Sequence, residues 1–271
     1  MADPIMTRQT DVIDGRTVCV HTSPGPNPAS PTLFLLHGGW GSAVMHWSPV
    51  WEDLAAQARV IAPELPGMGY DSAPITSTIP EFSRWLIRLM DYLEIGQAWV
   101  AGNSMGGALV WHLALIAPDR VKGMILINGG PLPPLSKNVQ LFARTRLGRL
   151  LVRAVAKRVA FSPQAVESAF ADRSRIPKPL LDLCRQRRSS PLRVTTDMIV
   201  NGTTSTAVPS QPCLIIWGTE DRLHGNPPDQ ARRLQHRLHD ARLVEIPDAG
   251  HMPQIEQPRL VIDALAAFVG F

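Results

Sequence analysis

Six short apolar runs recur along the chain: Thr32–Leu36, Arg59–Ala62, Gln97–Ala101, Gly123–Ile127, Pro212–Trp217 and Arg242–Ile246. Each is bounded by turn residues, and most are rich in Val, Ile or Leu, the pattern of strands covered on both faces. Helical periodicity fills the gaps between them, at Val44–Gln57, Ile79–Leu93, Ser104–Ala117, Pro228–Leu238 and Pro258–Val269. Pro228 and Pro258 sit where a first helical turn accepts proline. Alternating strand and helix leaves few solutions. The pattern predicts an α/β fold with a mostly parallel sheet and helices on both faces, preceded by an amphipathic strand near Thr17–His21.

The alternation breaks once, between Gly129 and Gln211. After Pro131, Pro133 and Pro134 come three helical stretches, Val139–Ala160, Pro163–Ala171 and Pro177–Arg187, and then a polar, turn-like segment at Asn201–Ser210. The expected organisation is a core formed by residues 1–130 and 207–271, with residues 131–206 inserted as a helical cap. The insertion is short for a core of its own and should rest on the edge of the sheet. There is no internal repeat and no heptad run.

Composition removes other classes. Hydrophobic residues make up 45% of the 271, too many for a disordered chain. Cys19, Cys184 and Cys213 are odd in number and widely spread, which suits a reducing compartment better than a disulfide scaffold or a zinc site. No apolar run reaches the roughly 18 residues of a membrane span, and no apolar stretch follows the N-terminus as in a secretory signal. A cytoplasmic protein is expected. The formal net charge of +4 conceals an asymmetry, because residues 131–205 hold 14 Lys/Arg against 4 Asp/Glu. Without aromatic interleaving these basic helices read as solvated faces, so neither a nucleic-acid nor a membrane partner is expected. The remaining partners are a small-molecule substrate and, left open, further copies of the chain.

The chemistry centres on Gly102-Asn103-Ser104-Met105-Gly106, which joins a strand to a helix. So tight a turn strains its middle residue and needs small neighbours two positions to either side. It would project the Ser104 hydroxyl at the carboxyl edge of the sheet, beside the positive end of the following helix. A serine nucleophile needs a base, and His251, just after the last strand, is the best placed of eight histidines. His224, His236 and His239 read as surface residues, and His46 and His112 as packed or solvated. The base in turn needs a carboxylate, for which Asp221 is favoured over its rivals Glu220 and Asp248. An oxyanion needs two donors. The N–H of Met105 would supply one and that of Gly39, in His37-Gly38-Gly39-Trp40-Gly41, the other, with Trp40 as the near alternative. His37 reads as a structural hydrogen bonder. No dinucleotide fingerprint, P-loop or metal-ligand cluster accompanies these motifs, so neither a cofactor nor a metal is expected.

Together, His37-Gly38-Gly39, Glu64-Leu65-Pro66-Gly67-Met68-Gly69, Gly102-Asn103-Ser104-Met105-Gly106-Gly107 and Gly250-His251 resemble an α/β-hydrolase with a helical cap over nearly the whole chain. Asn103-Ser104-Met105-Gly106-Gly107, with Ala117-Pro118-Asp119-Arg120-Val121 after it, is most similar to the meta-cleavage-product hydrolases, which break carbon–carbon bonds in vinylogous diketo acids. Those enzymes usually carry a longer glycine-rich loop and a tryptophan directly after the catalytic histidine, where this chain has Gly38-Gly39-Trp40-Gly41-Ser42 and Met252. The same signature occurs in esterases and lactonases. The leading expectation is therefore a serine hydrolase of a carboxylic ester or lactone with an apolar or aromatic group. Carbon–carbon hydrolysis is the alternative, and a non-catalytic receptor on the same fold comes after it. Trp40, Met252 and Phe142 are the expected substrate contacts, with Leu141, Leu150 and Phe161 as further roof candidates. Activity should fall in acid as His251 protonates.

Overall fold

The computed structural model describes residues 6–13, 15–68, 78–132, 135–160, 162–185, 189–201, 206–223 and 227–271. Eight strands form one sheet: β1 (Thr7–Ile13), β2 (Arg16–Ser23), β3 (Thr32–Leu36), β4 (Arg59–Pro63), β5 (Ala98–Asn103), β6 (Val121–Ile127), β7 (Cys213–Gly218) and β8 (Ala241–Ile246), in the spatial order β1-β2-β4-β3-β5-β6-β7-β8. The β1–β2 and β2–β4 pairs are antiparallel, and every other pairing is parallel. Strand β1, absent from the sequence reading, is a polar edge strand with only Ile13 buried, so it carries no apolar signal.

The inner strands are apolar throughout because both faces are covered. Phe34 and Leu36 of β3 join one buried cluster, while Leu33 and Leu35 join the other. The first cluster is completed by α2 (Ile79–Tyr92), α3 (Met105–Ile116) and α9 (Pro227–Arg237), and the second by α1 (Ala43–Ala55) and α11 (Pro258–Val269). This is the expected fold class, a mostly parallel sheet flanked by helices with a helical insertion.

The insertion between β6 and β7 holds α4 (Lys137–Arg144), α5 (Arg146–Ala160), α6 (Pro163–Ala169), α7 (Lys178–Arg185) and α8 (Ser189–Asn201). The single stretch expected at Val139–Ala160 is two helices. The chain turns at Thr145, whose Oγ1 accepts the N–H of Gly148 at 2.9 Å. The sequence reading missed α8, because Val194, Thr195, Thr196, Ile199 and Val200 are β-branched and mask a helical period. Val194 and Met198 of this helix pack into the main core, and α4 and α5 lie against α8. Phe161, His224 and Gly69 fall outside the described residues.

Candidate active site

Strand β5 delivers Ser104 to the carboxyl edge of the sheet. Its backbone has φ 54° and ψ −114°, and α3 starts at the next residue. A non-glycine residue in this region costs about 1–3 kcal/mol and persists only where its surroundings impose it. Here Ser104 donates its N–H to Ile127 O (2.9 Å), and its carbonyl accepts from Gly107 N (3.0 Å). The flanking glycines are a steric necessity. A Cβ on Gly102 would lie 2.3 Å from the Gly106 carbonyl carbon, and one on Gly106 would lie 2.3 Å from Leu36 O.

His251 and Asp221 stand on the loops after β8 and β7. The His251 ring donates from Nδ1 to Asp221 Oδ2 at 2.8 Å, and both residues are buried. That bond fixes the tautomer and leaves Nε2 as the proton acceptor. Asp221 is held in its turn, with Asn128 Nδ2 donating to Oδ2 (2.8 Å) and Leu223 N to Oδ1 (3.0 Å). The rivals lie elsewhere: Glu220 is exposed and pairs with Arg222, and Asp248 is exposed. The sequence reading missed Asn128. Its Oδ1 also accepts from Gly218 N (3.0 Å), so one side chain ties the ends of β6 and β7 to the carboxylate. Asn103, beside the serine, donates to Ile127 O and to the His251 carbonyl, both at 3.0 Å.

The loop after β3 places Gly38, Gly39 and Trp40 on the same cavity as Ser104, Met105 and His251. Two histidines brace it. His37 Nε2 accepts from Leu65 N (2.9 Å) and its Nδ1 donates to Gly38 O (2.8 Å), the structural role expected of it. His46 Nε2 donates to Trp40 O (2.5 Å) while Nδ1 faces Gly38 N at 3.4 Å, so this residue spans the loop rather than merely filling space. Burial pushes His46 down to about 3, with the nearby His37 adding to the fall, and the ring stays neutral. Burial likewise lowers His37. Glu64 completes the brace by accepting the N–H of Ala43 at the start of α1. His236 and His239 are exposed, and His112 is half-buried in α3.

The cavity has a volume of about 460 Å³. Trp40 lines it and meets the His251 ring edge-on, with centroids 5.5 Å apart. Two expected contacts do not reach it. Met252 is fully buried in the seam with Ala169, Phe170 and Leu180, because the chain turns into the short helix α10 (Pro253–Glu256) directly after His251. Phe142 is 43% exposed on the outside of α4, and Leu141 and Leu150 also point outward. The reason is α8, which supplies the roof through Thr195 and Ile199 and keeps α4 and α5 away from the cavity. Helix α9 supplies Gln230, Arg233 and Arg237, and no Asp or Glu is among the described lining residues.

The seam also ties the insertion to the histidine loop. His251 N donates to Ala169 O (2.7 Å). The Glu256 carboxylate accepts from Gly250 N (2.7 Å), Ala171 N (2.8 Å) and Asp172 N (3.1 Å). Burial raises the Glu256 pKa against the lowering effect of these bonds.

Residues 31–258 match the model of a family described as alpha/beta hydrolase fold. Among curated proteins, the chain is 31% identical over 248 residues to the dihydrolipoyllysine-residue acetyltransferase component of an acetoin cleaving system from Pseudomonas putida, covering 88% of this chain and 63% of that one. It thus spans less than two thirds of that relative. It is 28% identical to a 2-hydroxy-6-oxo-2,4-heptadienoate hydrolase from Pseudomonas putida, over 88% of this chain and 90% of the other. Among solved structures, a 2-hydroxy-6-oxo-6-phenylhexa-2,4-dienoate hydrolase from a Rhodococcus species superposes with a TM-score of 0.75 at 24% identity, covering 98% of this chain and 99% of that one, which shows the shared fold.

Proposed function

The chain belongs to the alpha/beta hydrolase fold family, and from that premise we propose that it is a serine-dependent hydrolase of a small, apolar or aromatic, acid-bearing ketone, broken at the carbon–carbon bond beside its carbonyl. The observation that carries the reading is the Asp221–His251 pair opening on the same cavity as Ser104, with Arg233 and Arg237 and no described acidic side chain along its wall. Arg233 and Arg237 are exposed at the cavity's rim, where Arg233 also lies 4.0 Å from Asp229, and their positive charge favours a carboxylate on the substrate. Long relatives named as dienoate hydrolases support the same bond type.

His251 Nε2 takes the proton of Ser104 as its Oγ attacks the carbonyl, and Asp221 stabilises the imidazolium. The N–H groups of Gly39 and Met105 hold the oxyanion. With the 2-hydroxydienoate first tautomerised to its 2-oxo form, so that the carbon beside the ketone is saturated, the bond to that carbon breaks, its electron pair passing into the 2-oxo acid as a dienolate, which takes the proton from His251. Water, deprotonated by His251, cleaves the acyl-enzyme and releases the second acid. The buried thiols of Cys19 and Cys213 fit a reducing, cytoplasmic setting.

Ester or lactone hydrolysis is the second reading. It is favoured by Met252, which lies in the seam where a ring beside the histidine would be expected in a carbon–carbon hydrolase. The leaving group then departs on oxygen and the remaining steps are shared. A parallel assay decides: loss of absorbance of a 2-hydroxy-6-oxo-dienoate against turnover of p-nitrophenyl esters and an enol lactone. Faster dienoate cleavage supports the first reading, and ester turnover alone supports the second. Ser104→Ala should abolish either activity, and its retention would sink both.

A further inference from the structure

The outer side of the insertion carries an apolar surface that the site does not use. Leu141, Phe142, Leu147, Leu150, Leu151 and Val155 are between 43% and 68% exposed. On α5, Leu147, Leu150, Leu151 and Val155 follow one another at helical spacing and form a single outward stripe. A contiguous run of exposed large side chains is uncommon on a protein surface and marks an interaction site.

The charge around the stripe says what would cover it. Residues 137–160 carry seven Lys/Arg and no Asp/Glu. Arg144, Arg146 and Arg149 are exposed beside the apolar side chains. A second copy of the same face would bring two wholly basic surfaces together, which is repulsive. Duplex nucleic acid would satisfy the cations but leave the leucines in water. An anionic lipid surface satisfies both, with leucines entering the acyl boundary and arginines meeting headgroup phosphates.

We propose that the α4–α5 face of the cap docks on an anionic bilayer. The helices lie in the surface and do not cross it, as no described helix is long and apolar enough to do so. The sequence by itself points to no membrane partner, because it holds no spanning segment and because the basic cap helices read as solvated faces. The outward turn of Phe142, Leu141 and Leu150 removes the second ground.

The test is co-sedimentation of the full chain with vesicles of phosphatidylcholine alone and with about one third phosphatidylglycerol. Binding to the anionic vesicles should exceed binding to the neutral ones by about tenfold or more, and should weaken as salt rises. Two double variants separate the contributions. Leu147→Ser with Val155→Ser shortens the stripe without changing charge, and Arg146→Ser with Arg149→Ser keeps it while removing charge. Each should lower vesicle binding by about tenfold with an unchanged melting temperature, since all four side chains face solvent. Absence of binding to anionic vesicles would overturn the proposal, as would equal binding by wild type and the charge variant. A concentration-dependent dimer dissolved by the stripe variant, or capture of duplex DNA in place of vesicles, would overturn it in favour of those occupants.

Discussion

At the scale of single residues, Asn128 deserves as much weight as the three groups of the proposed triad. It closes an apolar strand at φ 42° and uses its amide to hold both Gly218 N and Asp221 Oδ2. Asn128→Ala leaves the carboxylate short of a donor and free to rotate away from His251. We expect kcat to fall by about 10–100-fold with KM little changed, read from steady-state kinetics on the active substrate. His46 gives a prediction about pH. Its folded pKa is about 3, below an unfolded value of about 6.5, so protons bind the unfolded chain first. Its contribution to stability is complete above about pH 6.5 and is lost as pH falls toward 3, up to about 4–5 kcal/mol. Urea midpoints measured between those limits should therefore fall less steeply in His46→Gln than in the wild type. An identical slope would remove His46 as the cause.

The elements show why the sequence was legible where it was. Buried parallel strands have to be apolar on both faces, so β3 to β7 announce themselves, while the edge strand β8 shows itself through Leu243, Val244 and Ile246. The serine turn needs glycine at both shoulders, so it is local and readable. Positions 102 and 106 yield a direct expectation: Gly106→Ala, whose Cβ meets backbone at Leu36, should cost about 2–3 kcal/mol in a denaturant titration. Asp221 and His251 were legible because each follows a strand end directly. Asn128 was not, since its partners arrive from β7, 90 residues away for Gly218 and 93 for Asp221. The one local signal is a polar residue closing an apolar strand. The cap was the least legible part. Helix α8 is β-branched and α4–α5 is amphipathic, and sequence spacing cannot tell an inward apolar face from an outward one. The roof was therefore assigned to the wrong helices.

At the scale of the molecule, the basic cap and the cationic cavity wall are separate features. The excess of Lys/Arg in residues 131–205 includes the outer α4–α5 face, whereas Arg233 and Arg237 belong to α9 of the core. Arg237 also lies over the Trp111 ring at 5.4 Å, which braces it at the cavity. Replacing Arg233 and Arg237 together by Gln should raise KM for an acid-bearing substrate by about tenfold and leave a neutral ester of the same size unaffected. Equal effects on both substrates would show that the arginines act on packing and not on charge.

The stitching of residues 169–172 to the histidine loop has a consequence for how such proteins diversify. An insertion joined to its host only at its two ends could be exchanged between relatives as a cassette, with new specificity arriving in one recombination event. Here Ala169 O takes the His251 N–H, and Glu256 holds Ala171 and Asp172. A wholesale exchange would therefore have to bring matching partners for the far C-terminal loop as well. Crossovers that keep residues 169–172 with the parent and replace only α4–α5 avoid that penalty. Inheritance of this region should accordingly be piecemeal, its outer helices exchanging as a unit of their own while the stitched segment travels with the loop that bears His251.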